Sequence, residues 1–411
     1  MPDDSLKLNS MEALMHLVKG NVGTGIFAMG EAVKSAGIIV GPLFILIVAV
    51  LCVHCMHLLT ITAKSLREKH GVSTRLDFAK TLELSILLGP PQVVKYSLHA
   101  RKLVNYCIII SQIGFCCVYF IFITDNVHQV ADYYGIVIDL RTVMAGLFVP
   151  VLLPCLVRNL KYLVPISIMA NIFMFFGIFM VIGYAVNDLP PFSKRRYVGD
   201  LSMLPLVFGT AVFCFEGIAL VLPIKTQMRV PHNFSRHMGV LNVGMTFVAI
   251  LFVFMGFIGY WKWGEEVLES VTLNLPQDQI LYQVVKLLIT AGVLFTYCLQ
   301  LFLAVEVMWP FILEGKLRNN RHPVVWELLF RSSLVLLTFI LAQIVPFLSI
   351  FISFVGSFCA ASLCLLFPVV MDLLMNYADE TLTTYVITKD SIICCFCLLE
   401  SNCVAVVSLD S

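Results

Sequence analysis

The chain has 411 residues, 59% hydrophobic and 13% charged, about half the charged share of a soluble domain. That composition excludes a free-standing soluble domain and implies a polytopic membrane protein. With 27 Lys+Arg against 26 Asp+Glu there is no basic field, so nucleic acid is excluded as a partner. Residues 1–11, with Asp3 and Asp4, form a short polar N-terminus without the positive region and cleavage site of a signal peptide. Insertion is therefore expected to rely on the first spans themselves.

Apolar runs long enough to cross a bilayer, at roughly 20 residues each, fall at about 12–36, 38–62, 103–123, 142–157, 162–187, 203–223, 240–260, 281–309, 328–345, 349–371 and 391–409. The expected architecture is all-α, with about 11 transmembrane helices in a single domain over residues 12–409. The first span is interrupted by Gly20-Asn21-Val22-Gly23-Thr24-Gly25. Three glycines in six residues remove the side chains that support a helix and permit backbone geometries other residues resist. The sixth span is interrupted at Phe213-Cys214-Phe215-Glu216-Gly217-Ile218, with Gly209 before the break and Pro223 after it. Two discontinuous helices at corresponding places predict an inverted repeat of about 12–187 and 203–371. Its substrate site lies between the breaks, and the last span, 391–409, lies outside the repeat.

Positive loops stay on the cytosolic side. A cytosolic N-terminus places Lys7, the eight Lys and Arg from Lys64 to Lys102, Arg158, Lys161, Lys225, Arg229, Arg236, Lys316, Arg318, Arg321 and Lys389 inside. Only Arg141, Lys194, Arg195, Arg196 and Lys262 are left outside, the 194–196 run being the exception to the rule. The sequon Asn233-Phe234-Ser235 then faces the cytosol and stays unmodified. The basic stretch from Ala63 to Lys102 reads as a long loop and offers a docking place for a signalling partner.

A half-helix starting after the first break aims unpaired N–H groups and a positive dipole end at its site, which suits a carboxylate. Carbonyls freed at the second break suit an ammonium group, and the two together describe an amino-acid zwitterion. Asn21, Gly23 and Thr24 are expected to meet the carboxylate, and Phe215 and Gly217 the amino end, with Gly20, Gly25 and Phe213 lining the same place. The alternative reading makes Gly20, Gly23 and Gly25 close-packing glycines.

Glu216 at mid-membrane marks an ion or proton path, or else braces the unwound segment as a neutral acid. Glu306 in span 8 reads similarly, whereas Glu400 in the last span is expected to face a protein neighbour or the interface. His16 precedes the first break by about a turn, and His54 and His57 share a face of span 2. Imidazole titrates near neutral pH and suits a proton-coupled cycle, or serves as a hydrogen-bonded structural group. The fourteen cysteines, Cys52-x-x-Cys55 and Cys394-Cys395-Cys397 included, sit in or beside apolar segments and read as small apolar side chains rather than disulfides or metal ligands. There is no GxSxG, HExxH, Walker loop or dinucleotide fingerprint, so neither an enzyme nor an ATP-driven pump is expected. No cofactor is expected beyond protons as coupling ion.

Five motifs stand in register along residues 12–409: Leu17 to Gly25, Val53 to His57, Phe208 to Ile218, Ser270 to Gln277 and Ile352 to Gly356. Together the chain resembles the proton-coupled amino-acid transporters of the amino acid/auxin permease group, within the amino acid-polyamine-organocation superfamily. The resemblance implies a LeuT-like fold of five plus five helices with one extra, co-transporting protons with small neutral amino acids of the glycine, alanine and proline class. It implies a plasma-membrane or lysosomal/endosomal address and, in some members, a link to growth signalling. His16 falls where the family has its proton-coupling histidine and His54 where it has a second, less critical one. Gly30, followed by Glu31, stands where the family commonly has a proline. Two other classes stay open: a sensor that binds amino acids at the same site and signals through its cytosolic loops, and an uncoupled facilitator or channel.

Overall fold

The computed structural model describes residues 7–72, 76–158, 160–312, 323–345 and 347–410, with side chains at all of these except 160–167, 310–312, 323, 349 and 398–410. Every regular element described is helical: α1 (Ser10–Asn21), α2 (Gly25–Ala36), α3 (Val40–Glu68), α4 (Phe78–Leu87), α5 (Pro91–Val94), α6 (Ser97–Tyr133), α7 (Leu140–Cys155), α8 (Leu160–Ala185), α9 (Leu204–Cys214), α10 (Ile218–Gln227), α11 (Val240–Trp263), α12 (Ile280–Ile312), α13 (Pro323–Ile344), α14 (Leu348–Val355), α15 (Phe367–Ala378) and α16 (Thr384–Asp410). Among the described residues eight helical stretches are long and apolar enough to cross a bilayer, and α7 is a shorter apolar helix. The chain is an all-α, polytopic membrane protein. Leu43, Leu46, Ile47 and Val50 of α3 and Ile168, Ile172 and Phe179 of α8 are exposed, as a lipid-facing surface requires.

The main core is a continuous apolar cluster running through α1, α2, α3, α6, α9, α11 and α12, with a small second cluster of Ala32, Ala36 and Val207 between α2 and α9. Helix α6 packs along α12, α2 lies between α9 and α11, and α16 lies against α9, α14 and α15. Between α14 and α15 the helix widens to π turns over Gly356–Ala360 and Ser362–Leu366. The Ile352-to-Gly356 motif works here as a joint: Ser353 Oγ meets Thr210 Oγ1 at 3.0 Å and Leu206 O at 3.2 Å. A Cβ on Gly356 would collide with the Gly209 carbonyl.

One sequence expectation changes. The stretch from Ala63 to Lys102 is largely helical rather than a loop: α3 runs to Glu68, and Asp77 caps α4 through Lys80 N at 2.7 Å. Phe78, Ala79, Leu82 and Ile86 of α4 are buried, at the spacing that puts them on one face. Its basic neighbours are engaged, since Lys80 and Arg101 reach Glu83 at 3.0 and 3.2 Å. The basic Lys194-Arg195-Arg196 run also has a local use. Arg195 donates to the carbonyls of Trp261 and Lys262, both at 2.9 Å, capping the end of α11, and Arg196 grips Glu265 with two bonds of 2.9 and 2.6 Å. Gly264 turns away at φ 60°, because any side chain there would meet the Arg195 guanidinium.

Taking the side that carries Asn9 as the near face, α1 starts there with a reciprocal Asn9–Glu12 capping box. Leu8 pairs with the chain after α10, Leu8 N donating to Gln227 O and Arg229 N to Leu8 O, each 2.9 Å. At the opposite face α2 ends at Gly37, φ 93°, where residues 196–199 lie on its backbone and Gly199 N donates to Ala36 O at 2.8 Å.

Candidate functional site

Both predicted interruptions exist and they meet. Helix α1 stops at Asn21, Val22 takes an extended conformation (φ −86°, ψ 97°), and α2 restarts at Gly25. Helix α9 stops at Cys214, and α10 restarts at Ile218. A Cβ on Gly25 would strike the Cys214 sulfur and one on Gly20 the Leu220 side chain, while one on Gly217 would sit 2.5 Å from Asn21 Oδ1. Gly20 and Gly25 thus do the close packing of the alternative reading. Gly23 faces α6, where the Tyr119 hydroxyl stands 3.0 Å from the place of its absent Cβ.

The polar atoms at the breaks are under-used. Asn21 Nδ2 donates back along α1 to Leu17 O at 2.8 Å, which leaves Oδ1 as the atom without a partner. Asn21 Oδ1, Thr24 Oγ1 and Glu216 Oε2 are buried without a hydrogen-bond partner. Ser111 of α6 lies beside the Glu216 carboxyl, but too loosely for a well-formed bond. Each such atom costs about 1–3 kcal/mol when left unmade, and three of them at the paired breaks, with Ser111 Oγ beside Glu216 a fourth, describe a candidate site for polar groups. Asn21, expected to meet a carboxylate, presents an acceptor, which suits an ammonium donor. Thr24 precedes α2 without capping it, so its hydroxyl is available beside the first N–H groups of that helix.

Aromatic rings set the width. Phe213 lies 4.6 Å, centroid to centroid, from Phe115 of α6, and Phe215 turns to Phe252 of α11 at 5.2 Å. Phe213 therefore borders the break, whereas the Phe215 side chain is core and only its backbone remains there. Sequence reasoning missed Ser111, Phe115 and Tyr119. Their spacing of four in span 3 places them on one helix face, and the polar Ser111 and Tyr119 in an apolar run were the available signal.

The histidines are not brought to the breaks. His16 lies on the exposed face of α1, where Lys19 and Glu12 of the same helix act on it. His57 reaches Asn242 of α11 at 2.6 Å, and His54 faces the charges of Lys389 and Asp372. Glu306 is exposed on α12, and the side chain of Glu400 lies outside the described residues. Cys52 and Cys55 are both fully buried.

A family described as transmembrane amino acid transporter protein matches residues 7–409 of this chain, α1 to α16 and both breaks included. The chain belongs to that family. This makes it a transporter rather than an enzyme. It is similar to the "Proton-coupled amino acid transporter-like protein pathetic" of Drosophila melanogaster, with 34% identity over 367 residues, 89% of this chain and 77% of the relative. It is also similar to "Vacuolar amino acid transporter 3" of Saccharomyces cerevisiae, with 30% identity over 377 residues, 88% of this chain and 51% of the relative, so it spans about half the yeast protein's length. The family assigns amino acids as substrates, and the paired breaks bring unpartnered acceptors beside the start of α2.

Proposed function

We propose that the chain is a proton-coupled symporter of small neutral amino acids, with the substrate held between the breaks of α1/α2 and α9/α10. The observation that carries this reading is the set of buried, unpartnered atoms at the breaks: Asn21 Oδ1, Thr24 Oγ1 and Glu216 Oε2. In it the ammonium group lies between Asn21 Oδ1 and the carbonyls that end α9, and the carboxylate takes Thr24 and the N–H groups that open α2. Glu216 carries the proton within the site, and His16, exposed on α1, exchanges it with water.

The two halves, 12–187 and 203–371, rock about this site as an inverted repeat of LeuT type, and α16 rides on the second half. The N-terminus is cytosolic. An internal membrane of lysosomal kind is favoured by the vacuolar name of the yeast relative, and a fluorescent tag imaged beside organelle markers tests it. Uptake of labelled glycine or alanine into expressing cells at about pH 5.5 and about pH 7.5, spanning the imidazole range, tests the transport reading. Accumulation is expected to be larger at the acid value, and equal accumulation contradicts proton coupling.

A further inference from the structure

Outside the paired breaks the molecule carries a second group of buried charges. Helices α15 and α16 form a hairpin through residues 379–383. Asp372 precedes the end of α15 by six residues and Asp390 follows the start of α16 by six, so both carboxylates lie at one depth, about 9 Å along each helix from the turn. The charge pattern of the sequence assigns Lys389 to a cytosolic loop. The structure instead places it inside α16, with Nζ 3.1 Å from Asp372 Oδ2 and 3.2 Å from Asp390 Oδ1. Asn376 steadies the other oxygen of Asp372, its Nδ2 donating to Oδ1 at 3.0 Å.

Asp390 is the anomaly. It has no solvent exposure, and neither of its oxygens receives a hydrogen bond, the approach of Lys389 being off the required angle. A single ammonium between two carboxylates leaves one negative charge uncompensated in a buried place, and such a charge is relieved by binding a proton. Two acids that share one ammonium titrate as a pair, so that proton belongs to both. The other titratable groups around the pair do not supply the missing positive charge. From α3 come His54, with a buried and unpartnered Nε2 under the influence of Lys389 and Asp372, and the thiol of Cys55. On α16 itself there are the thiols of Cys394 and of the buried Cys397. Facing α16, helix α9 offers only Cys214, the π turns only Cys359 and Cys364, and α14 nothing that titrates.

We propose that Asp372 and Asp390, bridged by Lys389, bind one exchangeable proton at a site separate from Glu216, with His54 as its neighbour on the side of α3. The proton is held at low pH and leaves as pH rises, changing the charge of the contact that fastens α16 to α15 and α3. This titration stands whether or not the transport reading above is correct, and only an effect on uptake would rest on that reading.

The test is infrared difference spectroscopy of the purified full chain in lipid nanodiscs, titrated between about pH 5 and about pH 8, following the carbonyl stretch of protonated carboxyl groups. Asp390→Asn and Asp372→Asn each leave lysine paired with a single carboxylate, so charge is balanced and the fold is expected to persist, as gel filtration checks. Each should remove one titrating carboxyl band that survives in Glu216→Gln. A band that persists in either aspartate variant overturns the proposal. Lys389→Met gives a second reading, because removing the ammonium should move the band's midpoint to higher pH; an unmoved midpoint also overturns it. None of these readings requires amino-acid uptake, so failure of the transport assay leaves them intact.

Discussion

The two breaks meet one another by different means. The first is built from glycine and small polar side chains: Gly20 and Gly25 let α10 and α9 approach, and Asn21 and Thr24 bring the hydrogen-bonding atoms. The second is built from aromatic bulk and one acid, with Phe213 and Phe215 packed on α6 and α11 and Glu216 between them. The first therefore depends on shape that admits no added carbon, and the second on a group able to change charge. Substitutions should separate these roles.

The largest effect is expected from Gly217→Ala, which brings a methyl group onto the Asn21 amide. Overpacking of this kind costs about 1–3 kcal/mol, so labelled-alanine uptake should fall by tenfold or more while the protein still reaches its membrane. Uptake near the native rate would show that the breaks stand apart. Glu216→Gln comes next, and its signature lies in pH dependence rather than rate: uptake should become nearly equal at acid and neutral pH. A pH profile identical to the native one would remove the acid from the coupling role. Asn21→Ala should raise the alanine KM about tenfold, because a buried polar group left without its partner costs about 1–3 kcal/mol, and the variant lacks the Oδ1 acceptor offered to the ammonium group.

The smallest effect should come from Asp379→Asn, remote from both breaks. The Lys69 ammonium hydrogen-bonded to Asp379 holds its carboxyl below the usual carboxylate range, with His70 and Ser65 adding to it. A carboxyl lowered in the folded state stabilises above its ordinary range and loses that contribution as pH falls through the folded value. The native protein should therefore be more heat-stable than Asp379→Asn at neutral pH, by under about 1 kcal/mol, and equally stable in strong acid. A difference that grows in acid would reverse the sign.

Much of this was legible in the chain because backbone breaks and apolar length are local properties. The Gly20-to-Gly25 run and the Phe213-to-Ile218 run announce their interruptions, and helix boundaries follow from where apolar runs end. Span 3 was harder. Read as 103–123, it extends over Ser97–Tyr133 because its polar ends pack against α4 and the 271–274 turn. Amphipathic α4 was hidden for a related reason: its basic residues suggested a solvated loop until Glu83 was seen to gather Lys80 and Arg101. Which way a side chain turns depends on helix rotation, set by distant partners. Hence Phe215 proved to be core, His16 points away from the breaks, and Asn21 shows its oxygen rather than its amide hydrogens. The Asp372–Lys389–Asp390 group needed the fold outright, because its members are joined only when the hairpin closes.

The account rests on the contact between the breaks and on an amino acid occupying it. A Gly25→Cys variant tests both, because the Cβ position at residue 25 lies 3.4 Å from Cys214 Cβ, at the short edge of the range a disulfide spans, about 3.5–4.5 Å. Oxidation of membranes should join residues 25 and 214, as peptide mass spectrometry would detect, and alanine bound beside this contact should change the rate of the reaction. Absence of the cross-link, or a cross-link that forms equally fast with and without alanine, would contradict the account.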